Sequence, residues 1–338
     1  MKRVVLKIFI ILLSLQVALA QQKPQYTQYF LNPLLLNPAV TGIENYTDVK
    51  AGYRSQWAGI DGAPVTTFLT LSMPLGKNYL NSGAKQLDAN GNADPRGNIL
   101  PDNYIASIPH HGIGLIIVSD QAGPISQNNI AVTYAYHLTL TAKSNLALGL
   151  MAGFSHFNIN TLQLNPENTL DPAIFNGKNS NWEPDLRAGI WYYNPKYFIG
   201  LSVTELLPQS LYFVSNNTHV QPKIVPQLYA NAGMKFFLGN DMIFTPSVLL
   251  KKVDIASFSF DVNAKILFKN IFWLGGSYRH NNSFSALTGI NVNTFINIAY
   301  SYDITTSSLN TLSNGSHEIM LSILLNNKLK HTSSKRLP

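Results

Sequence analysis

The feature that most constrains this chain is alternation with a period of two residues, repeated from near one end to the other. Ile130, Val132, Tyr134, Tyr136, Leu138 and Leu140 alternate with Ala131, Thr133, Ala135, His137 and Thr139. Bulky apolar groups therefore share one face of a strand and small or polar groups the other. The same pattern runs through 49–57, 65–73, 113–119, 146–157, 185–193, 197–204, 227–237, 242–251, 257–268, 271–280, 284–291, 294–303 and 317–325. That makes roughly fourteen segments of about 8 to 13 residues, the length at which a tilted strand crosses a bilayer.

A soluble sandwich alternates too, and a single strand does not distinguish the two. Phe258, Phe260, Val262, Ala264, Ile266 and Phe268 form an apolar face, opposed by Ser257, Ser259, Asp261, Asn263 and Lys265, whose charges need a wet interior or partners. Composition decides. Only 12% of the 338 residues are charged while 46% are apolar, and a soluble domain carries about twice that share of charge. Tyr192, Tyr193, Tyr197, Phe236, Phe237, Tyr300 and Tyr302 fall at strand ends, where an aromatic girdle sits. No window beyond the first twenty positions is long and apolar enough for a membrane helix. Because a membrane tolerates no unpaired sheet edge, the sheet must close. The expected fold is all-β: a transmembrane outer-membrane β-barrel of about fourteen antiparallel strands.

Residues 1–20 read as a cleaved secretory signal: Lys2 and Arg3 start it, an apolar run follows, and Ala18-Leu19-Ala20 offers a cleavage site before Gln21. Removing Lys2, Arg3 and Lys7 lowers the formal charge from +7 to +4. An excess so small and scattered does not point to nucleic acid. With zero cysteines there are no disulfides or thiolate metal sites, which an exported protein closed by backbone pairing does not need. The expected division is a signal peptide at 1–20, an N-terminal plug or periplasmic segment at 21–45, the barrel at 46–326 and a basic tail at 327–338. That tail carries Lys328, Lys330, Lys335 and Arg336, and reads either as a disordered periplasmic extension or as a contact to acidic partners.

Loop lengths check the strand count. If the first strand rises from the periplasm, connections after even-numbered strands are periplasmic and short. Those at 142–143, 194–195, 239–240, 269–270 and 292–293 obey, and the longer ones at 158–184, 205–226 and 305–315 fall on the other side. The connection at 74–110 does not: it is long, rich in Gly, Asn and Asp, and on the periplasmic side. Either a strand is miscounted or this is a periplasmic partner-binding loop.

The stretch 25–42 has two Asn-Pro junctions, each biased toward a turn, around a run of three leucines. An ordered apolar stretch at a mature N-terminus reads as a capping segment, a lumenal plug or a docking element. Lys50, Arg54 and Gln56 share one face of the first strand, which is lumenal in a barrel. A lumenal Arg54 demands acceptors, and Asp185, Asp261, Asp303 and Glu318 are the candidates. Arg54 either joins the 25–42 stretch and these acids in one plug unit, or merely pairs between strands. Strand parity places the start of the stretch on the periplasmic side, beside the long connection.

Gln25-Tyr26-Thr27-Gln28-Tyr29, the paired Asn32-Pro33 and Asn37-Pro38 with Gly42, and Tyr53-Arg54-Ser55-Gln56-Trp57 followed by Gly59 and Pro64 resemble the N-terminal signature of the PorP/SprF family of Bacteroidota outer-membrane proteins. Pro246-Ser247 with Lys251, Trp273-Leu274-Gly275 with Tyr278-Arg279, Gly289-Ile290-Asn291, Tyr302-Asp303 and His317 to Leu321 are similar to its C-terminal half. The resemblance implies a component of the type IX secretion and gliding-motility apparatus. Such a protein binds, helps export or anchors a large secreted surface adhesin or other type IX substrate, or links the machinery to a periplasmic peptidoglycan-associated lipoprotein. Gln25, Tyr26, Tyr29, Asn32, Pro33, Asn37, Pro38, Gly42, Arg54 and Trp57 are then the candidate plug or partner-binding residues. The alternative is a passive pore or hydrophobic-solute transporter of the outer membrane.

An enzyme is not expected. His110, His111, His137, His156, His280 and His317 show no HExxH spacing, and Gly112-Ile113-Gly114 opens a strand instead of a phosphate-binding turn. No cofactor or metal is implied. The expected surroundings are outer-membrane lipid and protein partners.

Overall fold

A computed structural model of the chain describes residues 27–76, 106–163, 180–207, 209–210, 223–239, 241–253, 257–293, 295–306 and 308–326. In chain order the strands are β1 (Thr47–Ser55), β2 (Val65–Leu75), β3 (His110–Ala122), β4 (Ile125–Thr141), β5 (Ser144–Ile159), β6 (Ser180–Tyr193), β7 (Tyr197–Thr204), β8 (Gln209–Ser210) and β9 (Lys223–Ile224). They continue as β10 (Gln227–Met234), β11 (Phe236–Leu238), β12 (Met242–Val253), β13 (Ser257–Phe268), β14 (Phe272–Arg279), β15 (Ser283–Asn291), β16 (Ile296–Thr305) and β17 (Ser316–Leu325). β8 and β9 pair only with each other, and β11 continues β10 past a break at Lys235. The other strands pair antiparallel with their neighbours, β1 pairs with β17, and β10 pairs with β12, so fourteen strands close into a barrel.

The alternation sorts cleanly onto two faces. On β4, Asn129, Ala131, Thr133, Ala135 and His137 are buried inside, while Ile130, Val132 and Tyr134 stay exposed outside. On β13, Asp261 and Asn263 point inward and Phe258, Val262 and Ile266 outward. An exposed apolar belt around a polar interior is the reverse of a water-soluble sandwich and the arrangement that lipid requires.

Several expected boundaries move. β4, β5 and β6 run past the expected length, because their ends continue pairing beyond the apolar belt. β1 ends at Ser55, so Trp57 is no strand residue; it sits in the β1–β2 connection with φ 50°. Tyr193 faces inward, where its hydroxyl meets His137, and thus leaves the girdle to its neighbour Tyr192. Adjacent strand residues point to opposite faces, so the two tyrosines cannot share one.

One end of the barrel carries the short turns 142–143, 194–196, 239–241, 269–271 and 292–295, and the opposite end carries the longer connections 56–64, 160–179, 205–226 and 306–315 together with short ones at 123–124, 254–256 and 280–282. The long connection between β2 and β3 shares the short-turn end. No strand is missing there, because β2 and β3 pair directly from Val65↔Gln121 to Leu75↔His111. Residues 77–105 of that connection lie outside the described residues, as do the expected signal at 1–20, the tail at 327–338, and Gln25 and Tyr26.

Residues 27–46 do not pack on the outside. They run through the barrel as two short 3-10 turns, Pro33–Leu35 and Pro38–Val40, before entering β1. Leu34 and Leu35 are buried against the inward-facing Phe68, Ile116, Met151, Trp273 and Met320. An apolar cluster therefore sits within the otherwise polar lumen and is completed by the N-terminal segment. Burying one leucine contributes about 1.5–3 kcal/mol.

Candidate functional site

The first contact set lies near the long-connection end. Arg54, one residue from the end of β1, donates from Nη1 to Glu318 on β17 at 3.1 Å and pairs through Nη2 with Asp303 on β16 at 2.8 Å. The N-terminal segment starts within this cluster. The backbone N–H groups of Thr27 and Gln28 donate to the Glu318 carboxylate at 2.8 and 3.4 Å, and Thr27 Oγ1 donates to Asp303 at 2.6 Å. Two buried carboxylates thus share one guanidinium, Glu318 taking two main-chain donors besides and Asp303 the Thr27 hydroxyl, which offsets much of their desolvation. Asp185 and Asp261 are lumenal as well, but they take other arginines. Asp185 pairs with Arg187 at 2.7 Å and Asp261 with Arg279 at 2.9 Å.

Next along the segment, the Tyr29 hydroxyl meets the side-chain amide of Asn263. Phe30 packs edge-on against Trp273, with the Lys265 ammonium 5.9 Å from its ring centre.

The two Asn-Pro pairs open the two 3-10 turns, each proline standing first, where its missing N–H costs nothing. The asparagines reach different walls. Asn32 Nδ2 donates to Thr70 Oγ1 on β2 at 3.0 Å. Asn37 Oδ1 accepts from Ala39 N–H, capping its own turn, while its Nδ2 donates to the carbonyls of Ile190 and Leu201, both at 3.1 Å. Arg187 Nη1 and Ser202 Oγ donate to the carbonyls of Leu35 and Leu36. The segment is thereby tied to β6 and β7, across the lumen from Glu318.

Its last residues return to the short-turn end. His137 Nε2 donates to the Thr41 carbonyl at 2.8 Å and His110 Nε2 to the Gly42 carbonyl at 3.0 Å, their rings stacked 4.4 Å apart. Gly42 has φ +73° and lies against Gly112 of β3. Gly149 on β5 lies against Pro38 and Ala39. A side chain on Gly112 or Gly149 would collide with the segment's backbone, so both glycines are where the wall lets it approach. Gly42 at the short-turn end and Thr27 beside Arg54 reverse the orientation read from strand parity: the segment ends beside the long β2–β3 connection and starts toward the opposite mouth. Trp57 stays at that opposite end, its N–H donating to Ser316 Oγ at 3.1 Å.

Asn32, Asn37, Gly42 and Arg54 carried sequence signals, whereas Thr70, Gly149, Arg187, Ser202, His110 and His137 did not. Alternation puts these wall residues on the inner face but says nothing of which one meets the segment.

A closed barrel with a lipid-facing apolar belt, a polar lumen and an internal N-terminal segment is a transmembrane β-barrel of the outer-membrane class. The chain belongs to the family of type IX secretion system membrane proteins PorP/SprF, whose model matches residues 18–323. No curated protein is similar enough in sequence to match. Among solved structures it is similar to the outer-membrane protein Omp33 of Acinetobacter baumannii, with TM-score 0.48 and 7% identity over 84% of this chain and 100% of that one. It is also similar to the monoaromatic hydrocarbon channel CymD, with TM-score 0.46 and 10% identity over 87% and 91%. A FadL homologue of Pseudomonas aeruginosa gives TM-score 0.46 and 10% identity over 86% and 92%.

Proposed function

We propose that this outer-membrane component of the type IX secretion system works as a plugged scaffold. It either binds a large secreted surface protein at one mouth, supporting its export or anchoring it at the cell surface, or links the secretion machinery to a periplasmic peptidoglycan-associated lipoprotein. In this reading residues 1–20 are a removed export signal and residues 21–45 form the plug. The observation that carries it is the occupied lumen, in which residues 27–42 are hydrogen-bonded to β17 on one side and to β6 and β7 on the other. A lumen filled at this depth favours docking at the mouths over passage of solutes, and binding needs no catalytic step.

Capture of the protein from membranes solubilised in mild detergent tests the proposal. A large secreted protein or a periplasmic lipoprotein should co-purify at defined stoichiometry, and the purified barrel should show no stepwise conductance in planar bilayers. Steady conductance steps without any co-purifying partner would support a passive pore instead.

A further inference from the structure

One lumen wall is left aside by the segment. Among the described residues, no hydrogen bond from residues 27–42 reaches β10 or β12. On that wall Lys251 faces inward, with Tyr229 opposite it on β10 and Ser259 on β13. Its ammonium lies 5.8 Å from the centre of the Tyr229 ring. The lumenal Lys50, Arg54, Arg187 and Arg279 each have a carboxylate at 2.7–3.1 Å. Lys251 has none within 4 Å among the described residues. The Asp261 carboxylate, diagonal to it across β12 and β13, is taken by Arg279. Lys251 is thus a cation partly withdrawn from water, and such a charge favours an incoming anion.

Lys251 also stands two residues from the end of β12, toward the long-connection mouth, while Tyr29 bonds Asn263 farther down β13. The wall site thus lies on the mouth side of the Tyr29–Asn263 contact. We infer that Lys251, set over the Tyr229 ring, is an oxyanion site that receives an acidic side chain of a polypeptide docked at that mouth. The polypeptide source rests on the scaffold function proposed above; the anion site itself does not.

Lysine acetylation on the full-length protein in detergent tests this, with each site followed by mass spectrometry. Lys252, next in sequence and exposed on the outer face, is the internal control. Hexaglutamate at ten times its dissociation constant should slow labelling of Lys251 about tenfold and leave Lys252 unchanged. Protection by inorganic phosphate but not by hexaglutamate would keep the anion site and overturn the polypeptide source. Equal effects on both lysines, or a Lys251 the reagent cannot reach, would overturn the site. Selective protection by hexaglutamate with no secreted partner in the capture experiment would support the site and count against the scaffold function alone.

Discussion

Arg54 and Glu318 stand opposite each other in the β1–β17 pairing, and the Glu318 oxygen that takes the guanidinium at 3.1 Å also takes the Thr27 backbone N–H at 2.8 Å. The strand pair that joins the two ends of the barrel and the segment that fills it share one carboxylate. Arg54→Met strands two buried acids, Asp303 and Glu318, and is expected to cost roughly 3–5 kcal/mol. Glu318→Gln keeps the volume, leaves Arg54 paired with Asp303, and should cost less. Urea midpoints of the folded barrel in detergent decide, and an unchanged midpoint for Arg54→Met would contradict the arrangement.

Asn37 bonds three backbone groups at once, two of them on the wall. Asn37→Ala leaves the Ile190 and Leu201 carbonyls without that donor and uncaps the second turn, an expected loss of about 1–3 kcal/mol. Asn32→Ala removes one bond, to Thr70, and should lose about 1 kcal/mol. The same denaturation series orders the two, and the reverse order would rule out this assignment.

Gly149→Val drives a side chain into Pro38 and Ala39. Since the barrel's strand pairing does not depend on that contact, the segment should loosen while the barrel stays folded. Proteinase K digestion read by mass spectrometry should then reveal cuts within residues 27–42 that the native protein resists. Intact protection in the variant would mean that the segment does not rest on Gly149.

Val132 is 53% exposed on the lipid-facing side of β4, midway along the strand, beside the fully buried Thr133. A charge there meets hydrocarbon: Val132→Arg should cost roughly 2–4 kcal/mol in folding into phosphocholine vesicles. A neutral result would place this face in water.

The barrel was legible from a local rule. Side chains in a strand alternate whatever the strand pairs with, so Ile130 and Val132 on one side and Ala131 and Thr133 on the other already separate lipid face from lumen face. The candidate site was legible only in part. Asn32, Asn37 and Arg54 stand out by motif or by stranded charge. Which acid each arginine takes depends on register and tilt around the barrel, quantities with no local signature, and Asp185 and Asp261 went to arginines of their own. Arg187 and Asp185 sit two residues apart on one face of β6, a pairing that alternation does reveal once the carboxylate is matched to its nearest cation.

What the sequence determined by itself is the closed sheet, its two faces and its membrane, because each follows from periodicity and from the free-energy cost of charge in lipid. What only the tertiary structure decided is the course of residues 27–46: which end they start from, which walls they bond, and which wall they leave to Lys251. Those outcomes depend on contacts between positions up to 291 residues apart, as Thr27 and Glu318 are. Such pairs are brought together by barrel closure, and nothing in the neighbourhood of either residue records the other.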